Sequence, residues 1–273
     1  MYFPPEFNLD LAKELGNLVA QAYTQYEDYT KQEEWKLDEP YSLKSQFYYT
    51  EDKKILCFTY KKNTVPFGFT ATKGNNFYIV FRGTETPLEW LRDAQLKQVD
   101  YLKGWGKTTR GFSQIYRAIA PTILNDLKNV SRSTKIYVTG HSLGSALANL
   151  CVPDVITNFP DIQPELYTFA SPRTGNIIFA QAYRLAKIKA WRIANTEDLV
   201  TNIPFATLEI TDSNIKDVQR KLNLLRIILG GIEADLLEEF EHIGGNIAFT
   251  INKGSLTDNH AMTTYLNAIT SND

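Results

Sequence analysis

Ile136-Tyr137-Val138-Thr139-Gly140-His141-Ser142-Leu143-Gly144-Ser145-Ala146-Leu147-Ala148-Asn149-Leu150 runs from a short apolar strand, through a serine flanked by glycines, into a helix of small residues. A serine held on so tight a strand-to-helix turn projects its hydroxyl above the sheet, at a helix N-terminus where backbone N–H groups favour developing negative charge. Gly140 and Gly144 leave space for strand and helix to approach closely. Ser142 is therefore a candidate nucleophile, and the plainer alternative is a glycine-rich turn with no chemistry. Ser145 falls inside the helix and reads as a packing residue.

Working outward, the segments alternate. Leu143 to Val155 reads as a helix, Leu166 to Ala170 as a strand, Ile177 to Ala186 as a helix and Ala190 to Ala194 as a strand. Upstream, Leu11, Leu15, Leu18 and Ala22 recur at helical spacing. Residues 53–62 and 67–82 read as strands, with Lys73-Gly74-Asn75-Asn76 a hairpin turn. Alternation with near-continuously apolar strands predicts an α/β fold: a mostly parallel central sheet covered by helices on both faces. With no repeat and no linker rich in Pro, Gly or Ser, residues 1–273 read as a single domain.

The chain has 273 residues, enough to bury about three-quarters of its unfolded surface. A formal net charge of -2, from 29 basic and 31 acidic residues, argues against a nucleic-acid partner. Two cysteines, Cys57 and Cys151, are too few for a disulfide framework and read as buried core thiols. Three histidines (His141, His242, His260) leave little room for a histidine-rich metal site, so no metal and no organic cofactor is expected. The start, Met1-Tyr2-Phe3-Pro4-Pro5-Glu6-Phe7, has no basic n-region followed by an apolar stretch, and the longest apolar run is Phe77 to Phe81. A cytoplasmic protein with no transmembrane segment is the expectation, if Met1 is the native start.

A serine hydroxyl needs a general base, and the base needs an acid to fix its tautomer. Only His242 and His260 follow Ser142. His260 stands where a loop enters the last helix. Asp198 follows the strand at 190–194, on the edge where such sheets keep their sites, with Glu197 and Asp212 as rivals.

At this point the residues resemble a known family, the class 3 (fungal-type) lipases of the α/β-hydrolase fold. The likeness runs from about Phe77 to Leu266 in ordered blocks. They are Phe81-Arg82-Gly83-Thr84 with Trp90 and Asp93 downstream, Gly111-Phe112, Gly140 to Gly144, Tyr167-Thr168-Phe169-Ala170-Ser171-Pro172-Arg173-Thr174-Gly175-Asn176, Asn195 to Pro204, and Asp258-Asn259-His260. The resemblance implies Ser142 as nucleophile, Asp198 as orienting acid and His260 as general base. It implies an oxyanion hole from the backbone N–H groups of Leu143 and Thr84, with the Thr84 hydroxyl as a third donor. His242 matches a separate family histidine that reads as structural. Ala170 stands where the family has Gly, a change expected to alter packing only, and Thr109 stands where the family often has His.

Residues 85–93 look like a lid helix, capped by Thr86, with Leu88, Trp90 and Leu91 offering apolar surface to substrate, the alternative being a fixed helix whose apolar side is permanently packed. Residues 215–240 carry apolar positions at helical spacing, interrupted by Gly230-Gly231. They read either as two amphipathic helices over the sheet or as a flap touching a lipid surface transiently. The resemblance implies serine-dependent hydrolysis of a carboxylic ester in a lipid, triacylglycerol lipase-like, with a lipid ester as partner. Phospholipase A1 or galactolipase action, acyl transfer to an alcohol, and a catalytically silent lipid-binding protein are the alternatives.

Overall fold

The computed structural model describes residues 1–56, 59–84, 97–203 and 240–271. Cys57, Asp212, the candidate lid 85–93 with Leu88, Trp90 and Leu91, and all of the candidate flap 215–240 except Phe240 lie outside the described residues.

The chain opens with helix α1 (Leu9–Lys31), capped by the Asn8 side chain, which accepts from the Leu11 N–H. Leu11, Leu15, Leu18 and Ala22 form its buried stripe. Strands β1 (Ser42–Leu56), β2 (Thr59–Lys73) and β3 (Asn76–Phe81) follow. Next come β4 (Gln98–Asp100), β5 (Lys107–Thr109) and helix α2 (Arg110–Leu127). Strand β6 (Lys135–His141) leads into helix α3 (Leu143–Asn158). Beyond it lie β7 (Glu165–Phe169), β8 (Gly175–Asn176), helix α4 (Ile177–Leu185) and β9 (Ala190–Asn195). A short 3₁₀ turn, Leu199–Asn202, follows β9. Strands β10 (Phe240–Glu241) and β11 (Gly245–Phe249) precede helices α5 (Leu256–His260) and α6 (Met262–Thr270).

One sheet has seven strands in the order β1-β2-β3-β6-β7-β9-β11. β1, β2 and β3 pair antiparallel, whereas β3, β6, β7, β9 and β11 are parallel neighbours. Both faces are covered, because successive side chains on a strand point to opposite sides. Phe77, Ile79 and Phe81 of β3 join one buried cluster with residues of α2, α3 and α4. Tyr78 and Val80, the residues between them, join a second with residues of α1 and α6. The mostly parallel sheet with helices on both faces is thus the observed architecture. Among the described residues no helix is long and apolar enough to cross a membrane.

Two expectations need correction. Residues 53–62 are not one strand: the antiparallel pairs Lys53↔Lys61 and Leu56↔Thr59 make them the end of β1 and the start of β2. The apolar run around Ile55 masks that reversal, and the polar alternation of residues 42–50 hides the rest of β1. The hairpin at 73–76 is where expected, with Lys73 paired to Asn76 and Gly74 at φ 57°. A second, four-stranded sheet, β10-β8-β5-β4, is absent from the sequence reading. Its strands are two or three residues long, too short to establish a period.

Helix α3 is apolar on nearly every side and buried along most of its length, as a helix enclosed between a sheet and other helices must be. Pro153 lies inside it and has no N–H to give to the carbonyl of Asn149, one turn back. A buried carbonyl without a donor is costly. The Tyr183 hydroxyl of α4 supplies that donor. Tyr183→Phe is expected to lower stability by about 1–3 kcal/mol, or Tm by roughly 3–10 °C in thermal denaturation.

Candidate active site

The C-terminal ends of β3, β6 and β9 lie at one edge of the sheet, the place where open α/β sheets carry their sites. β6 ends at His141, and the next residue, Ser142, takes φ 56° and ψ −125°. The crowding around it accounts for both flanking glycines. A Cβ on Gly140 would lie 2.3 Å from the Gly144 carbonyl oxygen, and one on Gly144 would lie 2.5 Å from the carbonyl oxygens of Phe81 and Arg82. The Ser142 N–H donates to the Phe169 carbonyl at 3.0 Å, which ties the turn to β7. Ser145 does more than pack: its hydroxyl lies 2.7 Å from the carbonyls of both Gly140 and Phe169, joining α3, β6 and β7.

The three side chains singled out in the sequence meet. Ser142 Oγ is 2.8 Å from His260 Nε2, and His260 Nδ1 is 2.7 Å from Asp198 Oδ2. Asp198 is fully buried. Its Oδ1 accepts from the Val200 N–H at 2.9 Å, and its Oδ2 also accepts from the Tyr265 hydroxyl at 2.7 Å. A buried carboxylate is tolerable only when its lone pairs are filled in this way. Burial raises the Tyr265 hydroxyl well above its ordinary pKa, with the Asp198 charge adding to it, so Tyr265 stays a donor. The rival Glu197 instead accepts from Asn252 Nδ2 at 3.2 Å at the surface.

His242 is placed elsewhere. Burial first, then the Arg192 and Arg173 charges, push its pKa down to about 2, so it is neutral, and among the described residues its Nδ1 has no hydrogen-bond partner. His141 is neutral as well. Burial and the neighbouring His260 hold it well below the ordinary histidine range. Its Nε2 lies 2.8 Å from the His260 carbonyl oxygen, an acceptor only, so Nε2 carries the proton. Nδ1 then accepts from the Tyr23 hydroxyl at 2.7 Å. Helix α1 thereby reaches the Ser142 turn, a link that sequence alone gives no sign of.

Leu143 opens α3, so its N–H has no partner within the helix and sits directly after Ser142. Gly83 lies against the same turn, since a Cβ there would be 2.8 Å from the His141 carbonyl oxygen and 3.0 Å from Ser142 Cβ. The next residue, Thr84, has a buried Oγ1 with no hydrogen-bond partner among the described residues. Leu88, Trp90 and Leu91, expected to line the substrate site, lie outside the described residues. Among the described residues no group of three or more His, Cys, Asp or Glu side chains could hold a metal ion.

Ala170 departs from expectation. It stands at φ 52°, in the left-handed region that favours glycine, so its methyl group is a matter of backbone strain as well as packing. Ala170→Gly is expected to raise stability by about 1 kcal/mol in denaturant titration. His141 and His242 supply a pH prediction. Both bind a proton more readily in the unfolded chain, so the unfolded state gains protons as pH falls through about 6.5. Stability is therefore expected to decline below that pH, by up to about 1.4 kcal/mol per pH unit for each histidine, and thermal melts from pH 7 to 5 would measure it.

Residues 78–208 match the sequence profile of the family described as Lipase (class 3). The chain is 31% identical over 191 residues to a lipase of Rhizomucor miehei, an alignment covering 62% of this chain and 52% of that protein. It is 28% identical over 152 residues to a chloroplastic phospholipase A(1) of Arabidopsis thaliana, covering 48% of this chain and 34% of that one. The chain thus spans about half or less of the length of these curated relatives. The crystal structure of a lipase from Rhizopus microsporus var. chinensis superposes with a TM-score of 0.56 at 25% identity, covering 72% of this chain and 70% of that one. The chain is therefore similar to the class 3, fungal-type lipases, and the matched segment, residues 78–208, carries both Ser142 and Asp198.

Proposed function

We propose that this chain hydrolyses a carboxylic ester of a lipid through an acyl-enzyme on Ser142. The observation that carries the reading is the unbroken hydrogen-bonded chain Asp198–His260–Ser142, closed at 2.7 and 2.8 Å. Ser142 Oγ attacks the ester carbonyl while His260 Nε2 takes its proton. Asp198, on Nδ1, holds the imidazole in the tautomer that leaves Nε2 free and stabilises the imidazolium. The N–H groups of Leu143 and Thr84, with the Thr84 hydroxyl, face the oxyanion of the tetrahedral intermediate. The alcohol leaves with the proton from Nε2. Water then gives a proton to Nε2 and attacks the acyl group, and a fatty acid departs as Ser142 is restored.

An acylglycerol is the substrate class favoured by the likeness to the Rhizomucor miehei lipase. The likeness to the phospholipase A(1) makes a glycerophospholipid the second class, cleaved by the same apparatus. Transient contact with a lipid surface accompanies either reading, since such substrates reside in aggregates.

Fatty-acid release from short- and long-chain acylglycerols, phosphatidylcholine and a galactolipid, in detergent, tests the proposal. Wild type is expected to cleave at least one of these, and Ser142→Ala to fall by about 10³-fold or more. Equal release by both proteins would sink the mechanism. No release by wild type from any of the panel would reject these lipid esters as its substrates.

A further inference from the structure

Arg82 is 3% exposed, and its placement reaches the proposed oxyanion site through one peptide bond. Its Nε donates to the Pro66 carbonyl at 2.9 Å, and an Nη donates to the Gly83 carbonyl at 2.6 Å. The guanidinium lies 4.0 Å from the centre of the Tyr26 ring and 4.8 Å from that of Phe67. Its own backbone N–H donates to the Phe67 carbonyl at 2.9 Å. A planar, delocalised fork stacked on aromatic rings holds two carbonyls in fixed directions, which a lysine ammonium cannot do.

The Gly83 carbonyl belongs to the same peptide unit as the Thr84 N–H. That unit is planar and trans, so the two bonds point in opposite directions and fixing one fixes the other. Gly83 itself is packed against the nucleophile, with an added Cβ only 3.0 Å from Ser142 Cβ. We infer that Arg82 is a positioning residue for the oxyanion hole: by holding the Gly83 carbonyl on the far side, it aims the Thr84 N–H at the reacting carbonyl beside Ser142. A charged donor on the carbonyl also polarises the peptide unit and strengthens its N–H as a donor. The inference rests on the reading of Ser142 as nucleophile and of Thr84 as an oxyanion donor.

The test uses the full chain with wild type, Ser142→Ala, Arg82→Met and Arg82→Lys. Each is assayed for hydrolysis of p-nitrophenyl butyrate in detergent and for inhibition by a long-chain alkyl trifluoromethyl ketone. The ketone forms a hemiketal with the serine, and its oxyanion needs the same donors as the transition state. Arg82→Met is expected to lose about 10²-fold in kcat, with KM changed less than about threefold and ketone affinity falling in step with kcat/KM. Arg82→Lys keeps one of the two carbonyl bonds and is expected to lose about tenfold, with the same proportionality. Two results overturn the inference: a folded Arg82→Met with kcat within about threefold of wild type, or a loss of kcat without loss of ketone affinity. Where Arg82→Met does not fold, Arg82→Lys decides, and wild-type kcat and ketone affinity in that variant overturn the inference. Turnover that survives Ser142→Ala refutes the underlying reading, and with it this inference, before any Arg82 variant is read.

Discussion

Ser142 sits at φ 56° and ψ −125°, a backbone conformation that a non-glycine residue keeps only when its surroundings over-determine it, at a cost of about 1–3 kcal/mol. The surroundings here are three strands and a helix brought almost into backbone contact. β6 ends against β7 through the Ser142 N–H and the Phe169 carbonyl, and α3 starts against β3 through the bare Cα of Gly144. Ser145 closes the same knot from inside the helix with bonds to Gly140 and Phe169. What stabilises this arrangement is the sheet itself, whose central strands are buried on both faces by two apolar clusters. The hydroxyl direction is therefore a property of the sheet's packing, and the neighbouring chemistry is arranged around a fixed point.

The polar groups around that point are balanced so that only one link is open to change. Asp198 is saturated by His260, Tyr265 and the Val200 N–H. His141 is saturated by Tyr23 and the His260 carbonyl, and its ring packs 4.8 Å from that of the proposed base. Tyr265 gives its proton to the bond with Asp198, and His141 keeps its own on Nε2, facing the His260 carbonyl. The mobile proton is left to the Ser142–His260 pair.

Much of this was legible in the sequence, for physical reasons. The β6–α3 turn announces itself because its geometry demands glycine at fixed offsets and an apolar strand and helix on either side. The parallel strands are legible because burial on both faces makes them apolar throughout. Asp198 and Glu197, by contrast, are indistinguishable in sequence: both are acids after a strand, and only the direction each side chain takes from the turn at 199–202 separates them. Tyr265 and Tyr23 look like any aromatic residue on the buried face of a helix, since the pattern records apolar surface and says nothing of where a hydroxyl points. The strain at Ala170 is invisible because alanine is acceptable nearly everywhere except at positive φ. The four-stranded sheet escapes because its strands lack the length to show a period.

The bonds that complete the site join residues 62 and 118 positions apart, and Tyr23 reaches His141 across another 118. Helices α1 and α6 cover the same face of the sheet, close enough that a Cβ on Gly16 would meet Leu266 at 2.8 Å. A chain emerging from the ribosome makes α1, β3 and the serine turn well before it makes His260 or the helix beside it. Until those late residues emerge, that face of the strands has no α6 to cover it and Ser142 lacks its His260 partner. Topology of this kind puts the Ser142–His260 bond among the long-range contacts whose loop closure is slow, so a chain truncated before residue 260 lacks it altogether.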